Sequence, residues 1–325
     1  MRYLVRKLGF YAVALWVAIT LNFVLPRLMP GNPAEIMMTR FKGRINPEAI
    51  RAFTLALGLN QHSSLLAQYG TYLSQLLRGN LGVSIAYYPE PVSRVLAQAL
   101  PWTVFLVGTA TVISFMVGTL AGILAAWRRG GWFDSVAPGL FTFTSSFPYF
   151  WFGLIVLYFL AFRAGWFPMS HAYSGNRGTF GVGNWPDLLY HAALPAFAIV
   201  TTSIGGWLLS MRNNMITTMG QDYITMARAK GLSPRRIMYR YAARNAILPN
   251  VTGFALSLGF IVSGALLTEI VFSYPGLGYT LLQAVENEDY PLLQGTLLLI
   301  AIAVLLANFL VDLLYVRLDP RVRNQ

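Results

Sequence analysis

Six stretches of this chain each run for roughly 20 residues with almost no charge, and they limit its fold more than any motif does. They lie at about 8–28, 101–126, 136–161, 190–210, 251–272 and 292–316. A helix of that length rises about 30 Å, the thickness of a bilayer's hydrocarbon layer. Inside hydrocarbon every backbone N–H and C=O must find a partner within the protein, so a spanning segment is a helix or a strand of a closed barrel. The runs are continuously apolar and do not alternate, which excludes barrel strands. The pattern predicts an all-α membrane protein with six transmembrane helices. Composition agrees. Of the 325 residues, 56% are hydrophobic and 11% charged, too few polar residues to cover a water-soluble globule.

Charge sets the orientation. With Met1 inside, the inner segments hold 15 Lys/Arg: three before the first span, Arg128 and Arg129, seven in 211–250, and Arg317, Arg321 and Arg323. The short outer loops 162–190 and 273–291 hold only Arg163 and Arg177, and the second carries Glu286, Glu288 and Asp289. That asymmetry is the positive-inside pattern, and it puts both termini inside. The net charge of +12 then reflects topology and requires no nucleic-acid partner. The first span is too long for an ordinary signal-peptide core and has no small-x-small cleavage site before "PRLMPGNP", so it reads as a retained helix. The absence of cysteine removes disulfides and thiolate metal ligands.

The one sizeable outer region is 29–99. In "NPEAIRAFTLALGL", Asn46 and Pro47 suit a helix start and Gly58 a stop. Leu65, Leu66, Tyr69, Tyr72, Leu73, Leu76 and Leu77 then recur at helical spacing up to Gly79. These are expected to be short helices on the outer face, either a packed cap or a docking surface. The Gly-rich loop 162–190 projects Tyr173, Phe180 and Trp185, with Trp166 and Trp185 placed for the membrane interface. Its two readings are a cap on its own bundle and a contact for a soluble partner.

No enzyme signature is present. The histidines (62, 171 and 191) have no i, i+4 spacing, Gly-x-Ser-x-Gly is missing, and no Gly-Lys pair exists for a phosphate-binding loop. In the third span Pro148 removes a backbone donor and predicts a kink, one turn after Ser145 and Ser146. This suits either small-residue helix packing or a pathway lining. Glu269 and Asp312 are the ionisable residues at span edges. Such groups mark a pathway or pair locally, as Asp312 would with Arg317.

The most polar stretch lies between two spans. In "DYITMARAKGLSPRRIMYRYAARNAILP" (222–249), Asp222 is placed to cap a first helix that Gly231 ends, and Ser233–Pro234 to start a second. On that second helix Arg236, Arg240 and Arg244 form a basic stripe, with Ile237, Met238, Tyr241, Ala242 and Asn245 opposite. Pro249 closes the segment. The pattern predicts a helix–break–helix hairpin on the inner face. It either lies on anionic lipid or carries force between a soluble partner and the bundle.

The part "ARAKGLSPRRIMYRYAARNAILP" resembles the cytoplasmic coupling loop of ABC-importer permeases, in the form found in the dipeptide/oligopeptide (peptide/nickel) subfamily. "MPGNPA" (29–34), "GNLGVSI" (79–85), "GILAAWRRGGWFD" (122–134), "SSFPYFWFGL" (145–154), "FSYPGLG" (272–278), "EDYPLLQG" (288–295) and "NFLVDLLYVRLDPRVR" (308–323) are similar to that subfamily in order and spacing. The chain departs from it at Thr225-Met226-Ala227, where the general pattern is Glu-Ala-Ala, and at Asn80, where the subfamily has Asp. The resemblance implies a type I importer-like permease: a first transmembrane helix (1–28), an extracytoplasmic helical loop region (29–99), a five-helix core (100–316) holding hairpin 222–249, and a cytoplasmic tail (317–325). It implies that Ala227, Arg228, Ala229, Lys230 and Gly231 couple to ATPases. So would Ser233, Pro234, Arg236, Ile237, Arg240, Tyr241, Arg244 and Pro249. The implied partners are a second permease subunit, two cytoplasmic ABC ATPases and an extracytoplasmic solute-binding protein, around a pathway in the cell (inner) membrane of a bacterium or archaeon. ATP and Mg would sit on the ATPases, with no cofactor on this chain. The implied cargo is peptide, or alternatively an oligosaccharide or nickel complex. A self-contained secondary transporter or channel is the rival class, and it would need ion-binding carboxylates or internal repeats.

Overall fold

The computed structural model describes residues 2–28, 64–175, 185–262 and 265–318. Among them the regular structure is helical, and the extended segments make a single isolated bridge, Val83 to Pro91. Among the described residues four helices are long and apolar enough to span a bilayer, and a bent helix pair has the length and apolarity of a fifth when its two halves are taken together. Contacts group the chain into two compact units.

The first unit holds the described residues up to Thr103 and those from Pro275 onward. Its frame is α1 (Arg2–Leu28) antiparallel to the last helix, Tyr290–Leu318. Five contacts fix the register. Lys7 Nζ and Tyr11 OH each donate to Asp312 Oδ2 at 2.7 Å. Tyr11 packs edge-on against Phe309, and Asn22 and Gln294 exchange side-chain-to-backbone bonds of 2.9 and 2.6 Å. Asp312 thus takes partners from α1, because an antiparallel neighbour brings an ammonium to its own depth; the side chain of Arg317, its expected partner, lies outside the described residues.

Helix α2 (Leu65–Leu77) falls where the Leu/Tyr spacing predicts it. Ser64 caps it, accepting from the Ala67 N–H at 3.3 Å, and Tyr69 and Tyr72 pack on Phe23 of α1. The helix expected around "NPEAIRAFTLALGL" lies outside the described residues.

The loop carrying Glu286, Glu288 and Asp289 is not uniformly exposed. Asp289 is fully buried. Its Oδ1 accepts from the Leu292 N–H at 3.1 Å, capping the last helix. Its Oδ2 accepts from Ser84 Oγ (2.5 Å) and the Ile85 and Ala86 N–H groups (2.7 and 2.9 Å). Burial pushes this carboxyl above its ordinary range, and the four bonds pull it back only in part. One side chain therefore ties the "GNLGVSI" turn to the "EDYPLLQG" turn.

The second unit holds Val104–Gly175 and the described residues from 185 to Tyr274. It contains most of α3 (Val92–Trp127), then α4 (Trp132–Ser145) and α5 (Tyr149–Val156), which runs on as a π-helical turn, Leu157–Arg163. Next comes α6 (Trp185–Met219). The kink expected at Pro148 is a full break. α4 and α5 meet at 97°. Phe147, preceding a proline, is excluded from the helical region, and Pro148 has no N–H to continue the ladder. The Ser145 and Ser146 hydroxyls bond back to the carbonyls of Phe141 and Thr142 at 2.7 and 2.9 Å, which favours bending just before the break.

The stretch 251–272, expected as one span, is two helices, Leu248–Gly259 and Leu266–Val271. Gly259 ends the first, and its tail tightens into i−3 bonds from Phe260 and Ile261.

Helices α3 and α6 come unusually close. A methyl group on Gly118 would lie 2.8 Å from the Ile204 carbonyl oxygen, and one on Gly122 2.6 Å from that of Leu208. A small-xxx-small pair on one helix face permits that approach in a bilayer, where packing replaces the hydrophobic drive.

Candidate functional site: a docked helical hairpin

The basic stretch forms the expected hairpin, with differences that matter. Its first helix, α7, is Asp222–Ala229. Gln221 occupies the cap position, so Asp222 is the first helical residue, where its charge still complements the helix dipole. Gly231 ends the helix at φ +69°. Its N–H donates to the Arg228 carbonyl at 2.9 Å, and the Leu232 N–H to that of Ala227 at 3.3 Å. This paired closure by a left-handed residue is a Schellman motif. Ser233 then precedes Pro234 at the start of the second helix, α8. Pro249 lies in the first turn of the helix Leu248–Gly259, where a missing N–H costs nothing.

Helix α8 begins as Pro234–Arg236, continues as a π-helix, Ile237–Ala243, and ends as Arg244–Ala246. The wider turn changes which residues share a face. Ile237, Met238 and Ala242 are buried as the 3.6-residue period predicts, and Ala243 and Ala246 join them. Asn245, expected on that side, is exposed, and its side chain donates to Tyr223 OH at 3.0 Å across the hairpin. Tyr241 is half-buried.

The buried face docks on the ends of α3 and α6. Ile224 and Ala227 of α7 and Ile237, Met238 and Ala242 of α8 form one apolar cluster with Ile123, Ala126, Met211 and Met215. Burying Ile237 and Met238 contributes about 1.5–3 kcal/mol each relative to exposure, so the hairpin is anchored. The opposite face is open: Arg228, Ala229, Lys230, Arg236, Arg240 and Arg244 are exposed. The hairpin thus presents a cationic face outward while its apolar face is anchored on the ends of two long helices.

Two polar contacts that the sequence did not single out lock the helices beneath it. Asp134 of α4 accepts from Arg212 Nε at 2.5 Å, Arg212 Nη2 at 3.1 Å and the Gly130 N–H at 2.9 Å. Asn250, almost fully buried, accepts from Ser210 Oγ at 2.6 Å and donates to Thr119 Oγ1 at 3.2 Å and the Trp207 carbonyl at 3.1 Å. A charge at a span edge and an Asn beside the closing Pro249 were the available signals.

The segment 118–324 matches the family described as binding-protein-dependent transport system inner membrane component. The chain belongs to that family. It is 35% identical to the di/tripeptide transport system permease protein DppB of Pseudomonas aeruginosa, over 99% of both chains. It is 34% identical to the dipeptide transport system permease protein DppB of Escherichia coli K12, over 100% of this chain and 99% of that one. The oligopeptide transport system permease protein AppB of Bacillus subtilis is 32% identical, over 98% of both. The matched segment includes the whole hairpin and its docking cluster.

The other candidate residues of this permease divide between the two units. Ser145, Ser146 and Pro148 sit at the α4–α5 break with both serines exposed. Glu269 is fully buried in Leu266–Val271, and its carbonyl accepts from the Tyr274 N–H at 2.8 Å. Asp312 belongs to the other unit. Tyr173 is half-buried, which raises its hydroxyl pKa, and the neighbouring Ser174 is clipped to Asp187 by bonds of 2.7 and 2.8 Å. Trp185 is partly exposed and contacts Phe105. Phe180 lies outside the described residues.

Proposed function

We propose that this chain is one permease subunit of an ATP-driven, binding-protein-dependent importer of di- and oligopeptides, lying in a bacterial or archaeal cell membrane with both termini in the cytoplasm. The hairpin carries the reading: an exposed Arg/Lys face anchored by an apolar cluster to two long helices. Partners are a second permease, two cytoplasmic ATPases that hold ATP and Mg, and an extracytoplasmic binding protein. This chain performs no chemistry.

ATP-driven closure of the ATPases moves the hairpin, which carries α3 and α6 between inward-open and outward-open states. The α4–α5 break, where Ser145, Ser146 and Pro148 leave helical backbone interrupted, is the best-supported place for a gate, since irregular backbone at membrane depth lines cavities. Glu269 is a secondary candidate for the same pathway. Tyr173, Phe180 and Trp185 are proposed to meet the binding protein. The names of the relatives support peptide as cargo. The test is purification of the tagged chain from its own host's membranes. A second permease and two ATP-binding subunits copurify on this reading, and a chain that purifies as a self-sufficient homo-oligomer overturns it.

A further inference from the structure

We propose that Asp134 and Arg212 are a positioning pair that couples hairpin movement to the spans, a role that rests on the importer reading above. Three independent features converge on Arg212. Its guanidinium grips Asp134 through two nitrogens, and the same carboxylate takes the Gly130 N–H of the α3–α4 turn. Met211 and Met215, on either side of it in α6, belong to the cluster on which the hairpin docks. Gly122 of α3 abuts α6 at the same level, where an added methyl would lie 2.8 Å from Met211 Cβ and 3.1 Å from the backbone nitrogen of Arg212.

The pair therefore joins α3, α4 and α6 at the level where the hairpin pushes. Without it, the push can be absorbed by sliding of α4 along α6 and need not reach the α4–α5 break. A fork-to-carboxylate geometry suits this task, since two parallel bonds fix orientation as well as distance. The Asp134 side chain is 6% exposed and that of Arg212 23%, so water cannot substitute freely for either partner.

The test uses the complete complex in proteoliposomes, with its second permease, ATPases and binding protein. Asp134→Asn, Arg212→Gln and the double variant are compared for complex yield, basal ATP hydrolysis and binding-protein-dependent uptake. The pair predicts normal yield and basal hydrolysis with uptake reduced about tenfold or more, and a double variant no worse than either single one. Asp134→Glu, which keeps the charge, recovers part of the uptake. Gly122→Ala separates α3 from α6 at the same point without touching a charge and gives the same split, which keeps the test decisive where a charge variant fails to assemble. Wild-type uptake in the single variants and in Gly122→Ala overturns the proposal, as does equal loss of basal hydrolysis and uptake. Absence of uptake in the wild-type complex counts against the importer reading instead.

Discussion

Replacing Gly231 tests whether the hairpin works through its backbone. Nothing lies within 4 Å of where a side chain would start, so bulk is not the issue. Only the φ of +69° is demanding. Alanine there costs about 1–2 kcal/mol, which lowers the ratio of ordered to frayed hairpin about 5- to 30-fold. Asparagine tolerates the left-handed region and costs less. Proline cannot reach that φ. It also removes the 2.9 Å bond to the Arg228 carbonyl and restricts Lys230, for about 3 kcal/mol or more. Binding-protein-dependent peptide uptake by proteoliposomes should fall in the order glycine, asparagine, alanine, proline, with membrane insertion and basal ATP hydrolysis kept. Full uptake with proline, or equal loss with asparagine and alanine, shows that the left-handed backbone at Gly231 is not needed.

Three further outcomes are expected. Because the protein has no cysteine, a single thiol at Ser174 should react with a membrane-impermeant reagent only from outside and one at Arg236 only from inside; the opposite pattern inverts the topology. Reversing charge at Arg236 and Arg240 together should abolish ATPase coupling while leaving insertion intact, and unchanged coupling would assign the exposed stripe to lipid. Asp289, its pKa raised by burial, binds its proton more tightly folded than unfolded, so its contribution is greatest at low pH and is lost as pH rises from about 4 through the raised value. The thermal midpoint of the wild type, measured against that of Asp289→Asn in detergent, should therefore decline across that window; a constant difference removes Asp289 as the cause.

The sequence made legible what short-range rules control. Apolar run length located four span-length helices and the bent pair but not the division of 251–272 into two helices; the Leu/Tyr spacing located α2, and Gly231 and Ser233–Pro234 located the hairpin joints. Pairings distant in sequence stayed hidden. Lys7 lies 305 residues from its partner Asp312, and only the antiparallel packing of the first and last helices brings the two together. Asp289 read as a surface acid because nothing local announces that the turn at Ser84 folds over it. The π-helix in α8 has no sequence signature of its own, so the 3.6-residue period places Asn245 on the buried face while the structure exposes it. Pro148 announces an interruption, but nothing in the periodicity reports its 97° angle.

This permease is expected to move solute only when driven by separate ATPases. Sealed vesicles are prepared with this chain alone or with the second permease, both ATPases and the binding protein, and accumulation of a labelled dipeptide is followed. Concentrative uptake should require every component and ATP on the ATPase side, with no flux through the chain alone. Dipeptide or ion flux through this chain by itself, driven by an ion gradient without ATP, would contradict the account and establish a self-contained transporter.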